Sequence, residues 1–435
     1  MSQNPRKTAL VFSGGGARGA YEIGVWQALI EEDYPIDLVV GTSVGAINAT
    51  LVVQGDIECA KRLWMNLNNE IVVAVPERQR KIIERNVLRF YTRQFVQQQG
   101  ADYTPLKNLF IENLDLKRFY ASPIEFGIVT AELPGLRRRN LLKTYIPPEK
   151  LMDYVLASAA CYPAFQPYVI DDMTYIDGGY FSIMPVELAK DMGATEYIAV
   201  DLKTMGIVDR AAKKLLQQDN CLVVRSAWDL GNFMDFNEIT ARRNIRLGYL
   251  DMRRMRGHFE GLYYAFAPGT FDHALASHRR HVKLLLRWMR MDLSREWKNP
   301  YRRLNAMPLL RQLKCYDDLF MGAAETCGRV FGVDPGEPYT LAEFNQALRE
   351  KAAEAQAEQA DQNNRPTPLR KLRRRLNSRQ IALQLWQTMA TARANRRFAR
   401  FRPAATLMPK EFIAAIYLML LHPVPGRLNR APTEV

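Results

Sequence analysis

Asp37-Leu-Val-Val-Gly41-Thr42-Ser43-Val44-Gly45 is the stretch on which the reading of this chain turns. A short apolar strand at 37–40 runs into a G-x-S-x-G pentapeptide, and the small apolar residues 46–53 follow as a buried helix would. Strand, sharp turn and helix form the setting in which a serine hydroxyl is lifted clear of the backbone. Gly41 and Gly45 let strand and helix pass closely, and the helix N-terminus favours negative charge on the serine oxygen. The competing reading is a tight turn with an incidental serine. A nucleophilic serine ordinarily passes its proton to an imidazole. The five histidines here are His258, His273, His278, His281 and His422, all far downstream. A Ser-His-Asp relay within the α/β region is therefore excluded, and the proton needs another acceptor.

Working outward, residues 8–12 (Thr-Ala-Leu-Val-Phe) read as a buried strand ending in Ser13-Gly14-Gly15-Gly16-Ala17-Arg18-Gly19. Tyr21, Val25, Ala28 and Leu29 then share a helical face. The loop fits G-x-G-x-x-G, so one reading is a dinucleotide site with a pyrophosphate held at a helix N-terminus. The acidic residue expected at the end of the next strand is missing, because Asp37 opens that strand and the pentapeptide ends it. The other reading is an oxyanion hole, where one backbone donor is worth about 3 kcal/mol. The residues alone leave both open. Tyr175-Ile176-Asp177-Gly178-Gly179 is a further strand end running into glycine. Taken alone, Asp177 reads as a turn former. Beside Ser43 it becomes the candidate base, since a partly desolvated carboxylate can accept a hydroxyl proton.

Strand patterns at 124–130, 173–177 and 197–201 alternate with helical ones such as 151–160, predicting an α/β fold with a mainly parallel central sheet. From about residue 211 a helical, Arg- and Leu-rich periodicity takes over. Thr340-Leu-Ala-Glu343 is a capping box opening a helix that fades near 360. The expected organisation is a catalytic α/β domain at 1–210 and a helical region at 211–361, packed on or extending it. A linker at 362–368 and a basic amphipathic helical tail at 369–435 would follow.

The chain is 48% hydrophobic and 24% charged, the composition of a folded soluble protein. Its five cysteines are scattered and never form C-x-x-C, which argues against a disulfide framework or zinc site and suits a reducing compartment. The polar segment 1–7 lacks the apolar core of a signal peptide. The late apolar run at 412–421 is about half of the ~20 residues needed to span a bilayer. Net charge is +14, and thirteen Lys/Arg with no Asp or Glu fall between Gln362 and Lys410, leaving the rest near neutral. Leu369, Leu372, Leu376, Leu383, Trp386 and Met389 recur at three- or four-residue steps there, lapsing once at Arg379. Arg370, Lys371, Arg373, Arg374 and Arg375 take other faces. One reading is a helix lying on an anionic membrane through residues 369–402, with Trp at the interface. Another is a helix docked on the body by its Leu/Trp stripe, and a third is contact with nucleic acid or an acidic protein. No aromatic-interleaved basic module supports specific nucleic-acid recognition.

Taken together, these motifs resemble the patatin-like phospholipase family, serine acyl hydrolases with a Ser–Asp dyad. The resemblance covers residues 8–205. It rests on Gly14-Gly-Gly-Ala-Arg18-Gly19, Gly41–Gly45, Asp177-Gly178-Gly179, the approach Ala157-Ser158 through Pro163-Ala-Phe165 to Pro167, and the segment Pro185-Val186 through Ile198-Ala-Val200. It implies a three-layer patatin-like fold, Ser43 as nucleophile and Asp177 as proton acceptor. It also implies an oxyanion hole at Gly14, Gly15 and Gly16 with Arg18 nearby, and motif-forming roles for Gly19, Gly41, Gly45, Gly178 and Gly179. Two positions depart from the family: Ser13 stands where Asp is common, and Tyr180-Phe-Ser-Ile-Met-Pro185 lacks the Asn common before the proline.

The expectation is a carboxylic ester hydrolase acting on membrane or micellar lipid, of phospholipase A or lysophospholipase type. No metal or cofactor is implied, and the expected location is cytoplasmic or peripheral on a membrane. The alternatives are a triacylglycerol lipase or acyltransferase of the same fold, or a membrane-bound nucleotide-responsive regulator with a vestigial site.

Overall fold

The computed structural model describes residues 6–272, 319–364, 377–394 and 401–421. The chain forms two compact units, Met1–Arg256 and Gly257–Val435.

The first unit is built on eight strands: β1 Thr8–Phe12, β2 Leu38–Thr42, β3 Glu125–Leu133, β4 Arg137–Leu142, β5 Tyr168–Ile170, β6 Met173–Asp177, β7 Glu196–Val200 and β8 Cys221–Val224. They make one sheet in the order β5-β6-β3-β2-β1-β7-β8, with β4 also paired to β3. The run β3-β2-β1-β7-β8 is parallel. The strands β4 and β6 join β3 antiparallel, and β5 joins β6 antiparallel.

Successive residues of a strand face opposite sides. Leu10, Phe12, Val39, Ile198 and Val200 enter the core on one face, while Ala9, Val11, Leu38, Val40 and Ala199 enter the core on the other. Burial on both sides is why β1 and β2 read as unbroken apolar runs without polar alternation. The helices are α1 Ala20–Glu31, α2 Val44–Gln54, α3 Ile57–Asn66, α4 Val87–Gln98, α5 Leu151–Ser158, α6 Val186–Asp191, α7 Arg210–Leu215 and α8 Glu238–Met255. Residues of α1, α2, α3 and α8 cover the first face, and those of α6 and α7 the second. The result is a three-layer α/β arrangement.

The helical region expected from residue 211 is divided between the units. Its α7 and α8 belong to the first, where α8 packs against α1 so closely that backbones nearly touch. A Cβ on Gly24 would lie 1.8 Å from Ile245 O, and one on Gly248 would lie 2.0 Å from Tyr21 O.

The second unit is mainly helical, with α9 Leu319–Phe331, α10 Leu341–Asn364, α11 Ser378–Ala394 and α12 Pro409–Leu421, beside a short parallel pair of strands at Ala265–Phe266 and Pro338–Tyr339. The capping box forms as read: Thr340 N donates to Glu343 Oε2 at 2.8 Å, and Glu343 N to Thr340 Oγ1 at 3.3 Å. The α10 helix continues through 362–364, where the linker was expected, and 365–368 lie outside the described residues. In α11 the side chains of Leu383, Trp386 and Met389 are fully buried. Trp386 is thus a core residue and not an interfacial one, and this part of the stripe packs inward. Leu369, Leu372 and Leu376 lie outside the described residues, as do His273, His278, His281 and His422.

Candidate active site

One strand brings the two distant motifs together. Val129 of β3 pairs with Thr42, the residue before Ser43, and the next residue, Thr130, pairs with Asp177. Parallel β2 and antiparallel β6 thus end against neighbouring positions of the same strand, and their terminal side chains emerge side by side. Three hydroxyls lock this register. Thr130 Oγ1 donates to Ile176 O at 2.9 Å, Thr42 Oγ1 to Ser182 O at 2.8 Å, and Ser158 Oγ to Val129 O at 2.6 Å.

Ser43 sits between the end of β2 and the start of α2 with φ 57° and ψ −129°, a conformation that costs a non-glycine residue on the order of 1–3 kcal/mol. Its surroundings enforce it. A Cβ on Gly41 would fall 2.1 Å from Gly45 O, and one on Gly45 would fall 2.7 Å from Phe12 O, so strand and helix pass at backbone contact. The Ser43 N–H donates to Ser158 Oγ at 3.0 Å. Only 9% of Ser43 is exposed, and its surface opens into the cavity described below.

Asp177 is 4% exposed. Burial pushes its carboxyl pKa up to about 6; hydrogen bonds from the Ser43 hydroxyl and the Gly179 N–H pull the other way. The latter donates to Asp177 Oδ1 at 2.7 Å. A carboxylate so held is ionised at neutral pH yet basic enough to take a proton.

The glycine loop is less uniform than its sequence. Gly14 N–H donates to Ile183 O at 2.9 Å, so its amide, expected to help form the oxyanion hole, is already used. Gly15 and Gly16 line the cavity, and among the described residues their N–H groups meet no acceptor. Gly16 adopts φ +54°, and a Cβ there would collide with Phe233 O at 2.0 Å. Arg18 turns its guanidinium to carbonyls: Nε to Gly231 O at 2.8 Å, and Nη1 to Leu202 O and Lys203 O at 3.2 and 3.0 Å. It fastens the loop and is committed to neutral acceptors.

Both departures from the family pattern find local substitutes. Ser13 Oγ accepts from Leu202 N at 3.0 Å, tying the loop to the end of β7. Without the usual asparagine, the aspartate loop is held by the Thr42 bond to Ser182 O and by Ile183 N donating to Ile207 O at 2.9 Å.

Ser43, Asp177, Gly15 and Gly16 all border one cavity of about 590 Å³. Its walls are otherwise mostly apolar, with Ile47, Trp64, Leu106, Phe110, Phe165 and Phe236 among them, and among the described residues no histidine lines it. His258, in the second unit, is exposed.

Sequence reasoning passed over a buried polar link behind the nucleophile helix. Asn48 Nδ2 donates to Gly19 O at 2.9 Å and Glu22 Oε2 at 2.8 Å, and Asn48 Oδ1 accepts from Trp64 Nε1 at 2.9 Å. Glu22 is fully buried, which raises its pKa well above the usual carboxylate range despite the Asn48 and Ser13 hydrogen bonds that lower it. The link joins the end of the glycine loop, α2 and the cavity wall. Its signal was a lone acid inside Ala20-Tyr-Glu-Ile-Gly-Val-Trp26.

Comparison with known proteins agrees with the motifs. A family model, the patatin-like phospholipase, matches residues 10–190. The rat patatin-like phospholipase domain-containing protein 7 is 27% identical over 208 residues, which are 45% of this chain and 13% of that protein. A Caenorhabditis elegans patatin-like phospholipase domain-containing protein is 30% identical over 209 residues, 44% of this chain and 13% of its own length. The chain therefore spans about an eighth of these relatives. A lysophospholipase of Aspergillus terreus is 52% identical over 46 residues, 11% of this chain and 3% of that protein. Among solved structures, VipD from Legionella pneumophila aligns at a TM-score of 0.36 and 13% identity, over 99% of this chain and 93% of that one. That superposition is loose, and the fold rests on the sheet itself. Residues 10–190 of this chain carry the patatin-like phospholipase match, within a compact unit that runs to Arg256.

Proposed function

We propose that the chain is a lipid acyl hydrolase of phospholipase A or lysophospholipase type. The observation that carries this reading is the pairing of Ser43 with a buried Asp177, with no histidine beside them among the described residues, on the wall of a large apolar cavity. Ser43 Oγ attacks the acyl carbonyl as its proton passes to Asp177, and the carbonyl oxygen becomes an alkoxide received by the Gly15 and Gly16 N–H groups. Collapse breaks the ester bond, and the departing alcohol takes the proton from Asp177. Water, giving a proton to the same carboxylate, then attacks the acyl-Ser43 ester; as the acyl–Oγ bond breaks, Asp177 returns that proton to Ser43 Oγ and the fatty acid leaves. The acyl chain occupies the apolar cavity, where removal from water supplies roughly 0.8 kcal/mol per buried methylene.

The test is labelling with a fluorophosphonate ester followed by peptide mapping. The adduct is expected on Ser43, absent in Ser43→Ala and formed far more slowly in Asp177→Asn. Labelling that survives Ser43→Ala, or proceeds unchanged in Asp177→Asn, removes the dyad. A lipid panel with the active protein then separates phospholipid from lysolipid and neutral lipid.

A further inference from the structure

The rim of the cavity carries apolar side chains that face solvent. Met205 is 89% exposed and Ile207 53%, and both border the cavity. Beside them stands Tyr180, another lining residue that is partly exposed; Ile207 N–H donates to the carbonyl of its neighbour Gly179 at 3.2 Å. Tyr180 donates its hydroxyl to Tyr162 O, and the Tyr162 ring meets Phe95 of α4 edge-on at 5.8 Å. From Phe95 the apolar surface continues along α4 to Val96, 78% exposed, and to Leu88, 65% exposed and two turns away on the Phe95 face. Single exposed apolar residues are ordinary; a run of them ending at the mouth of an apolar cavity is not.

The charges carried by α4 itself have one sign. Between Arg85 and Gln99 there are three arginines and no acid, and Arg89 and Arg93 are exposed on α4. Lys203, also exposed, borders the cavity itself. Apolar side chains at the entrance, flanked by basic ones, are complementary to a bilayer with anionic headgroups: the former enter the acyl boundary and the latter meet phosphate.

We infer that this rim, formed by Met205, Ile207 and the exposed apolar residues of α4, is the surface by which the protein docks on an anionic lipid bilayer. Docking there sets the cavity mouth against the bilayer, so an acyl chain enters without crossing water. The inference rests on the lipid hydrolase reading for its occupant and moves lipid contact from the basic tail to the catalytic unit.

The test sediments full-length Ser43→Ala protein with vesicles of phosphatidylcholine alone, or of phosphatidylcholine mixed with phosphatidylglycerol. Binding to the mixed vesicles should exceed binding to the neutral ones, and should fall about tenfold or more in Leu88→Glu/Val96→Glu and in Met205→Glu with thermal unfolding unchanged. No binding by the parent, or binding unaltered in both variants, overturns the proposal. So does a dimer in solution that Leu88→Glu/Val96→Glu dissociates, which would make the patch a self-interface. Ser43→Ala turns over no lipid under the hydrolase reading, so this result stands apart from catalysis. In the active chain, Leu88→Glu/Val96→Glu should keep hydrolysis of a soluble butyrate ester and lose that of vesicle lipid. A parent protein unable to cleave the soluble ester would strike the hydrolase reading alone.

Discussion

The two glycine segments that meet at the cavity look alike in sequence and are held by different things. In Gly41–Gly45 the restraint is local: each glycine lies against backbone of the same strand–turn–helix or of adjacent β1. In Gly14–Gly16 the restraint comes from far along the chain. Gly14 packs on Ile183, Gly15 on Leu202 and Gly16 on the carbonyl of Phe233, while Ala17 N donates to that carbonyl at 2.7 Å. The elbow is a self-contained unit, whereas the loop is assembled by segments reaching beyond residue 190, where the family match ends. That is why the first compact unit runs to Arg256.

The sharpest way to break this comparison is to add a methyl group to each segment and try to make room for it. Gly41→Ala places Cβ 2.1 Å from the Gly45 carbonyl oxygen, with no side chain to trim. It should destabilise by about 3 kcal/mol or more and abolish ester hydrolysis. Gly14→Ala meets chiefly Ile183 Cδ1 at 2.5 Å, the one atom that Ile183→Val removes. Gly14→Ala should lower kcat about tenfold, and the double variant should recover most of it, a coupling readable in a double-mutant cycle. Failure of the Ile183→Val rescue would show that the loop is as rigidly encoded as the elbow.

A smaller effect tests whether the elbow is fully self-contained. Ser158 Oγ receives the Ser43 N–H and donates to Val129 O, bridging the nucleophile to the strand that carries Asp177. Ser158→Ala leaves a buried N–H unsatisfied and should cost about 1–3 kcal/mol in thermal or urea unfolding. A fall in kcat for a soluble ester, with KM little changed, would mark Ser158 as a positioning residue. Equal losses in both would mark a purely structural one.

The pattern-bearing parts of the site were legible because their chemistry is local. A strand end, a glycine turn and a small-residue helix pointed to Ser43, and Asp177, by itself a turn former, became a candidate only beside that serine and in the absence of a nearby histidine. The register that joins them was not legible, because the pairing of Val129 with Thr42 and of Thr130 with Asp177 is a long-range choice set by sheet order. Nor was the fate of the Gly14 amide or of Arg18, since their acceptors Ile183, Leu202, Lys203 and Gly231 carry no motif. The Leu/Trp stripe of the tail left its partner open for a related reason. Three- and four-residue spacing reports an apolar face without saying what covers it, and in α11 it is the core of the second unit that covers Leu383, Trp386 and Met389. Met205 and Ile207, which are exposed, lie in a loop without periodicity.

The central claim is that Asp177 alone accepts the proton of Ser43, and the pH dependence of kcat/KM on a soluble ester tests it most directly. The carboxyl must be ionised to act, and burial raises its pKa to about 6, so activity should hold above that pH and fall as pH drops through it. In Asp177→Asn the rate should drop on the order of a thousandfold and the acid limb should vanish. An acid limb near 6 that persists in Asp177→Asn, or a wild-type rate that stays flat well below 6, would contradict the account.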